Sequence, residues 1–232
     1  MTTDHLLRRA QRLWLGLAEA PADTTLPAVL VSPDSGLCPP GWVGVVVLGG
    51  DALVTAPTEA AADLVRTALA DADPSELGGA LRATRTLGPA TLAYLAPGDL
   101  RPQHGAEVAE LTADHPAVRQ LLARVSEEDA AECGLDRITS PAFTVLDGDG
   151  QVIAATGYRV WPGAAAHLCV LTDPGHRAKG LARSTATAAT AHALAAGLLP
   201  QWRARVPASR RVAEQLGYRE LGIQLSVQLP DA

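Results

Sequence analysis

Aromatic side chains are scarce in this chain, at 3% of 232 residues, with a single Phe. A core must then be assembled from Ala, Val and Leu. With 47% hydrophobic and 19% charged residues the chain has the make-up of a soluble globular protein, not of a disordered one. Only three cysteines occur, Cys38, Cys133 and Cys169. They show no metal-ligand spacing and form no even set, which excludes a disulfide scaffold and a cysteine metal site, so the expectation is reduced thiols in the cytoplasm and no bound metal. No apolar run is long enough to span a membrane. The opening "MTTDHLLRRAQRLWLGLAEA" is not the uninterrupted apolar run of a signal peptide. Leu6, Leu7, Ala10, Leu13, Trp14 and Leu17 recur at helical spacing, with Arg8, Arg9 and Arg12 on the other side, which predicts an amphipathic helix.

Lysine is present once, at Lys179, and its surroundings are unusual. The net charge of −6 argues against broad nucleic-acid binding. Yet from Arg177 to Arg219 eight basic residues face one acid, Glu214, which leaves 11 basic and 24 acidic residues elsewhere. A concentration of that size suits a small polyanion better than a duplex. For any single arginine, a solvated helix face is the ordinary alternative.

Two blocks are legible. In the first, "WVGVVVLGGDALVTAP" predicts two strands around Gly49-Gly50-Asp51, followed by helices at about 59–70 and 75–83 and a strand at "ATLAYLA". The turn-rich "PGDLRPQHG" (Pro97 to Gly105) is the expected boundary, dividing residues 1–104 from 105–232. In the second block a helical pattern at Ala117 to Val125 precedes the polar stretch 126–136. Then "AFTVLDGDGQVIAATGYRV" alternates around Asp147-Gly148-Asp149-Gly150 as a hairpin. Val152 and Tyr158 stand where a calcium loop needs Gly and Glu, so the turn is a plain one. A third strand at Ala165 to Thr172 leads into a basic turn, a helix to about Ala196, the strand "QWRARV", the helix "ASRRVAEQLG" and closing strands across "YRELGIQLSVQL". The fold class expected is mixed α/β, an α+β arrangement around a mixed sheet.

A strand that feeds a helix through a Gly-containing basic loop can bind an anion. The helix's first amides are unpaired and its dipole is positive there, while Gly180 lets a ligand approach the backbone. The turn "DPGHRAKGLARS" is neither G-x-x-x-x-G-K-[ST] nor G-x-G-x-x-G. Arg177-Ala178-Lys179-Gly180-Leu181-Ala182 does resemble the R/Q-x-x-G-x-G/A pyrophosphate loop of the GNAT N-acetyltransferase superfamily, and Pro174 lies three residues before the Arg, as in that family. "ASRRVAEQLGYRELG" resembles the family's later helix and closing turn at Leu216-Gly217-Tyr218. The resemblance is clear over about residues 143–229 and absent or very faint before Gly105.

It implies a GNAT-like acyltransferase domain with splayed central strands, preceded by a smaller N-terminal α/β domain of unknown role, whose strand–helix–strand order is compatible with a degenerate second copy. Acetyl-CoA or another acyl-CoA is the implied co-substrate. Backbone amides across Arg177, Ala178, Lys179, Gly180, Leu181 and Ala182 would hold its pyrophosphate. The strand end Val170, Leu171 and Thr172 would pair with the pantetheine arm, a backbone amide near Leu171 or Val170 polarising the thioester. The acceptor would be a primary amine of a small molecule or peptide, with neither nucleic acid nor membrane as partner and a homodimer left open. Val206 and Ala213 depart from the family's Asn and Tyr. That Tyr is often the general acid, so a non-catalytic acyl-CoA-binding or sensing protein is the alternative.

Among candidate catalytic groups, His167 on the third strand has an ordinary pKa of about 6.5, suited to a general base, against the equal alternative of a partly buried structural histidine. Cys169 is more simply packing than a nucleophile. His176 and Lys179 are candidates for phosphate contact. Glu127, Glu128, Asp129 and Glu132 either attract a cationic amine or form a solvated face. Tyr158, Arg159 and Trp161 line an acceptor pocket or pack at an edge, and Trp202 is assigned to the core.

Overall fold

In the computed structural model, which describes residues 3–230, the chain divides by its contacts into two units. One is built from the chain up to Ala93 together with Ala204–Val206 and the chain from Glu220. The other is built from Tyr94–Arg203 and Pro207–Arg219.

The first unit contains α1 (Thr3–Leu17), β1 (Ala28–Val31), β2 (Val43–Leu48), β3 (Asp51–Ala56), α2 (Glu59–Leu69), the single turn α3 (Leu77–Ala80) and β4 (Arg85–Tyr94). Leu6, Ala10, Leu13 and Trp14 are buried, as the spacing of the opening segment predicts. β2 and β3 form the expected hairpin, which turns at Gly49 and Gly50, both at positive φ. Thr58 caps α2, its hydroxyl accepting the Ala61 amide at 3.2 Å. The helix expected at 75–83 shrinks to a 3-10 turn at Pro74–Glu76 and α3. Gly78 and Gly79 have low helix propensity, and Arg82 at φ 49° ends the run. Strand β4 begins well before "ATLAYLA", and β1 escapes the sequence pattern altogether. Val43, Val45, Val54, Ala56, Val65, Leu225 and Val227 form the apolar centre of this unit.

The second unit contains β5 (Ala109–Leu111), α4 (Pro116–Ala123), α5 (Glu127–Cys133), β6 (Ala142–Leu146), β7 (Val152–Trp161), β8 (Ala165–Thr172), α6 (Leu181–Ala195), β9 (Leu199–Ala204) and α7 (Pro207–Gln215). Its strands run β9-β8-β7-β6-β5. β6 and β7 form the predicted hairpin, with the Asp147 carboxylate accepting the amides of Asp149 (3.0 Å) and Gln151 (2.8 Å). The closing segment is a single strand, β10 (Arg219–Gln228), antiparallel to β2 in the first unit. Gly222 is required there, since a Cβ would lie 1.7 Å from the Val47 carbonyl oxygen.

Strand alternation gives the second unit's sheet two different faces. α6 covers one. It is rich in Ala and Thr, and its buried hydroxyls are satisfied: Thr185 shares a 2.7 Å bond with Thr156, Thr187 donates to the Arg183 carbonyl, and Thr190 meets the Tyr218 hydroxyl at 2.8 Å. The other face packs Ala155, Cys169 and Leu171 under Val118, Leu121, Leu135 and Ile138. Ile138 fits because β7 has Gly157 beneath it, where a Cβ would come within 2.6 Å of the Ile138 side chain. The turn-rich segment before β5 is tied to α6 through Gln103 N–H to Thr187 and Gly105 N–H to Ser184.

Candidate functional site: a strand fork and an amide-lined loop

β8 and β9 are parallel but in register only at Ala165↔Leu199, Ala166↔Pro200 and His167↔Gln201. On its other side β8 stays paired with β7 as far as Thr172. From Leu168 to Thr172 the edge of β8 that faces β9 therefore lacks that strand partner. The implied fork of the central strands is present, with His167 and Gln201 at its vertex.

At the far end of β8, Asp173 organises the turn. Its carboxylate accepts the Gly175 amide at 3.0 Å and pairs with Arg124 at 3.3 Å. After the 3-10 turn Pro174–His176 the backbone passes through positive φ at Ala178 (63°) and Gly180 (81°) and enters α6. The amides of Arg183 and Ser184 both donate to the Gly180 carbonyl. Among the described residues, the amides of Ala178, Lys179, Gly180, Leu181 and Ala182 have no protein acceptor. Leu181 anchors the loop against Val145, Ile153 and Ala154. The Arg183 guanidinium lies beside Gly180, 3.0 Å from where a Cβ would be, and donates to Gln215. Five amides, a helix N-terminus and one adjacent guanidinium fit a diphosphate. The Thr172 hydroxyl, buried without a partner where the strand meets the loop, is a further polar atom that a ligand would satisfy.

The side chains implied by sequence take different positions here. Arg177 has its own amide on Pro174 and its guanidinium on Asp129 at 2.8 Å, so it braces the loop against α5. Arg177 in turn holds the Asp129 carboxyl below the ordinary range. Lys179 is exposed, and His176 lies 3.5 Å from Asp173. Val170 and Thr172 are half-buried, and Leu171 is in the apolar cluster. Ser126 caps α5, on which Glu127, Glu128 and Glu132 are exposed.

His167 stacks on Trp161 at 4.3 Å and 11°, and its Nδ1 meets Gln201 Oε1 at 2.5 Å. Burial, with the field of Arg203, Arg137 and Arg159 added, pushes its pKa down to about 4 despite that hydrogen bond. Burial also pushes the Cys169 thiol up to about 12, which leaves it a packing group. Tyr158 turns to the α6 face and bonds His192 at 2.8 Å, and Tyr218 is buried against Thr190. Burial raises both phenols. Ala213 is buried and Val206 is exposed. Trp202 is buried, its indole N–H on Ser209.

Gln201 and the side chain of Arg183 are the site groups that sequence reasoning did not single out. Nothing in the sequence fixes the β8–β9 register that brings Gln201 to His167. Among the described residues, no cluster of His, Cys, Asp and Glu is placed to hold a metal, and no helix is long and apolar enough to cross a membrane.

A family model for GNAT acetyltransferases matches residues 142–222. Among solved structures, the chain is similar to a GCN5-related N-acetyltransferase from Kribbella flavida, at 20% identity over 68% of this chain and 65% of that one, with a TM-score of 0.51. A GNAT-family protein from Novosphingobium aromaticivorans is similar at 22% identity over 65% and 68%, with a TM-score of 0.50. A tandem GNAT protein from the clavulanic acid biosynthesis pathway matches across 100% of this chain and 97% of its own, at 13% identity and a TM-score of 0.50. These likenesses establish the fold. A search of curated proteins finds no match.

Proposed function

We propose, for a chain whose residues 142–222 match a GNAT acetyltransferase family model, that it moves an acetyl group from acetyl-CoA to a primary amine of a small molecule or peptide. The observation that carries this reading is the row of five unpartnered amides from Ala178 to Ala182, at the end of a strand whose edge has lost its neighbour. When bound, the acyl-CoA supplies the thioester. The loop amides and Arg183 would hold its diphosphate, and the edge of β8 from Leu168 to Thr172 offers main-chain groups for the pantetheine arm. An amide on that edge would polarise the carbonyl.

His167 is neutral at every pH well above 4, with Nδ1 committed to Gln201. Such an imidazole is poorly matched to stripping an ammonium whose pKa is near 10. The acceptor must then arrive as the free amine, and kcat/KM should rise with pH toward the amine's own pKa without an inflection near 6.5.

One observation favours a second reading, a non-catalytic acyl-CoA-binding protein. Position 213 is a buried Ala, and the tyrosines Tyr158 and Tyr218 are tied to His192 and Thr190 with raised pKa values, so none is offered as a proton donor to the leaving thiolate. Thiol release from acetyl-CoA across an amine panel separates the two. Turnover of any amine supports transfer; tight CoA binding with no turnover of every amine supports the second reading. Absence of CoA binding removes both.

A further inference from the structure

Arg159, His167 and Gln201 stand in one row across three strands: Arg159 of β7 is in register with His167 of β8, and His167 with Gln201 of β9. Residues in register share a face of the sheet, and alternation adds Trp161 on β7 and Arg203 on β9. This is the face that α4 and the 3-10 turn Leu135–Arg137 cover at Ala155, Cys169 and Leu171. The turn ends in Arg137, so the uncovered part of the face, around His167, is approached by three guanidinium groups from three elements. All three fields reach the imidazole and oppose its protonation.

Arg159 and Arg203 are exposed. Arg137 makes only a 3.6 Å contact with Asp136, both being largely exposed, and Arg159 has no ion pair among the described residues. A second observation is independent of charge. Gln201 is completely buried, its Oε1 is used by His167, and its Nε2 has no acceptor. A buried amide N–H without an acceptor is destabilising, a cost that an oxygen from a ligand would relieve. The diphosphate does not fill this role. Thr172 lies five positions beyond His167 along β8, about 17 Å at the rise of a strand.

We propose that the acceptor amine carries a carboxylate, and that Arg159 and the Gln201 side-chain amide bind it, with Arg137 and Arg203 supplying the surrounding positive field. The assignment rests on the acyl-transfer reading above and deepens it: the substrate class is a small amino acid or amino-carboxylate. Arg159 brings a planar fork suited to the two carboxylate oxygens. Trp161, stacked on His167, holds the imidazole in place beside them.

The test compares amines of similar basicity with acetyl-CoA saturating: 4-aminobutyrate against butylamine, and 5-aminopentanoate against pentylamine. The readouts are thiol release and the NMR titration of the His167 imidazole. The carboxylated member of each pair should be preferred at least tenfold in kcat/KM, and its binding should raise the His167 pKa by about one unit. Arg159→Gln should weaken the carboxylated amine about 10- to 100-fold, chiefly in KM, with CoA affinity unchanged and Arg159→Lys intermediate. Equal or reversed preference within the pairs overturns the proposal. If no amine turns over while CoA still binds, the titration decides: a rise with 4-aminobutyrate but not butylamine upholds the carboxylate site, and no rise with either sinks it. If CoA itself fails to bind, the acyl-transfer reading falls separately, and the same titration still rules on the carboxylate site.

Discussion

Replacing Gly180 with Ala separates the loop's ligand role from its structural one. Gly180 has φ 81°, and the Cβ of an alanine would meet only the end of the flexible Arg183 side chain, at 3.0 Å. The steric clash is thus minor and the cost is mainly conformational. A left-handed backbone costs a non-glycine residue roughly 1–2 kcal/mol. The reduced freedom of the unfolded chain returns about 0.4–1 kcal/mol, leaving a net loss near 1 kcal/mol and a fall in Tm of about 2–4 °C. Binding should suffer more. If the loop relaxes toward negative φ, the amides of 179–182 no longer converge, and each hydrogen bond to a charged oxygen is worth about 1.5–3 kcal/mol. Losing one or two predicts a fall in CoA affinity of at least tenfold by calorimetry. Gly197, at φ 73° after α6 with open space around it, provides the control. Gly197→Ala should lower Tm by a similar amount and leave CoA affinity unaltered. A CoA affinity within threefold of the parent for Gly180→Ala would refute the amide cradle.

His167 should stay neutral down to about pH 4 in the folded protein, so its NMR signals should not titrate between pH 5.5 and 8; a midpoint near 6.5 would contradict the burial described. Because its pKa is lower folded than unfolded, protons favour the unfolded chain, and stability should decline as pH falls from about 6.5 to 4, by on the order of 3 kcal/mol from this group. Thr190→Val leaves the buried Tyr218 hydroxyl without its partner and should cost about 1–3 kcal/mol in urea unfolding, while adding Tyr218→Phe should recover most of that; simple additivity of the two losses would argue against the bond. Gly222→Ala forces a Cβ to 1.7 Å from the Val47 carbonyl and should destabilise the β2–β10 pairing by more than about 4 kcal/mol, seen as loss of soluble protein or of cooperative unfolding; near-native stability would contradict that register.

What the sequence disclosed was local. The loop from Arg177 to Ala182 is legible because one strand, one basic Gly-containing turn and one Ala-rich helix are contiguous, and both hairpins are legible from Gly-rich turns between alternating runs. The short strands β1 and β5 are too brief for any periodicity to declare them. Nor does local pattern show that β10 belongs to the first unit from Glu220 onward, since "YRELGIQLSVQL" reads the same whichever strand it pairs with. The vertex of the fork was half visible. His167 could be picked out as a histidine near a strand end, whereas Gln201 became a candidate only through the register of two strands more than thirty residues apart. Likewise, the low basicity of His167 comes first from its burial and then from Arg203, Arg137 and Arg159, which come from three different elements. A contrast between the two units is also structural in origin. At the start of α2 the Thr58 hydroxyl consumes an amide and the chain carries no left-handed residue, whereas at the start of α6 a left-handed Gly180 leaves the amides open.

The most direct measurement is calorimetric titration of the purified protein with CoA and, in parallel, with pantetheine, which has the thiol arm but no diphosphate. CoA should bind and pantetheine should bind at least a hundredfold more weakly, since the loop amides would have nothing to hold. Equal affinity for the two, or no affinity for CoA, would contradict the role given to residues 178–182.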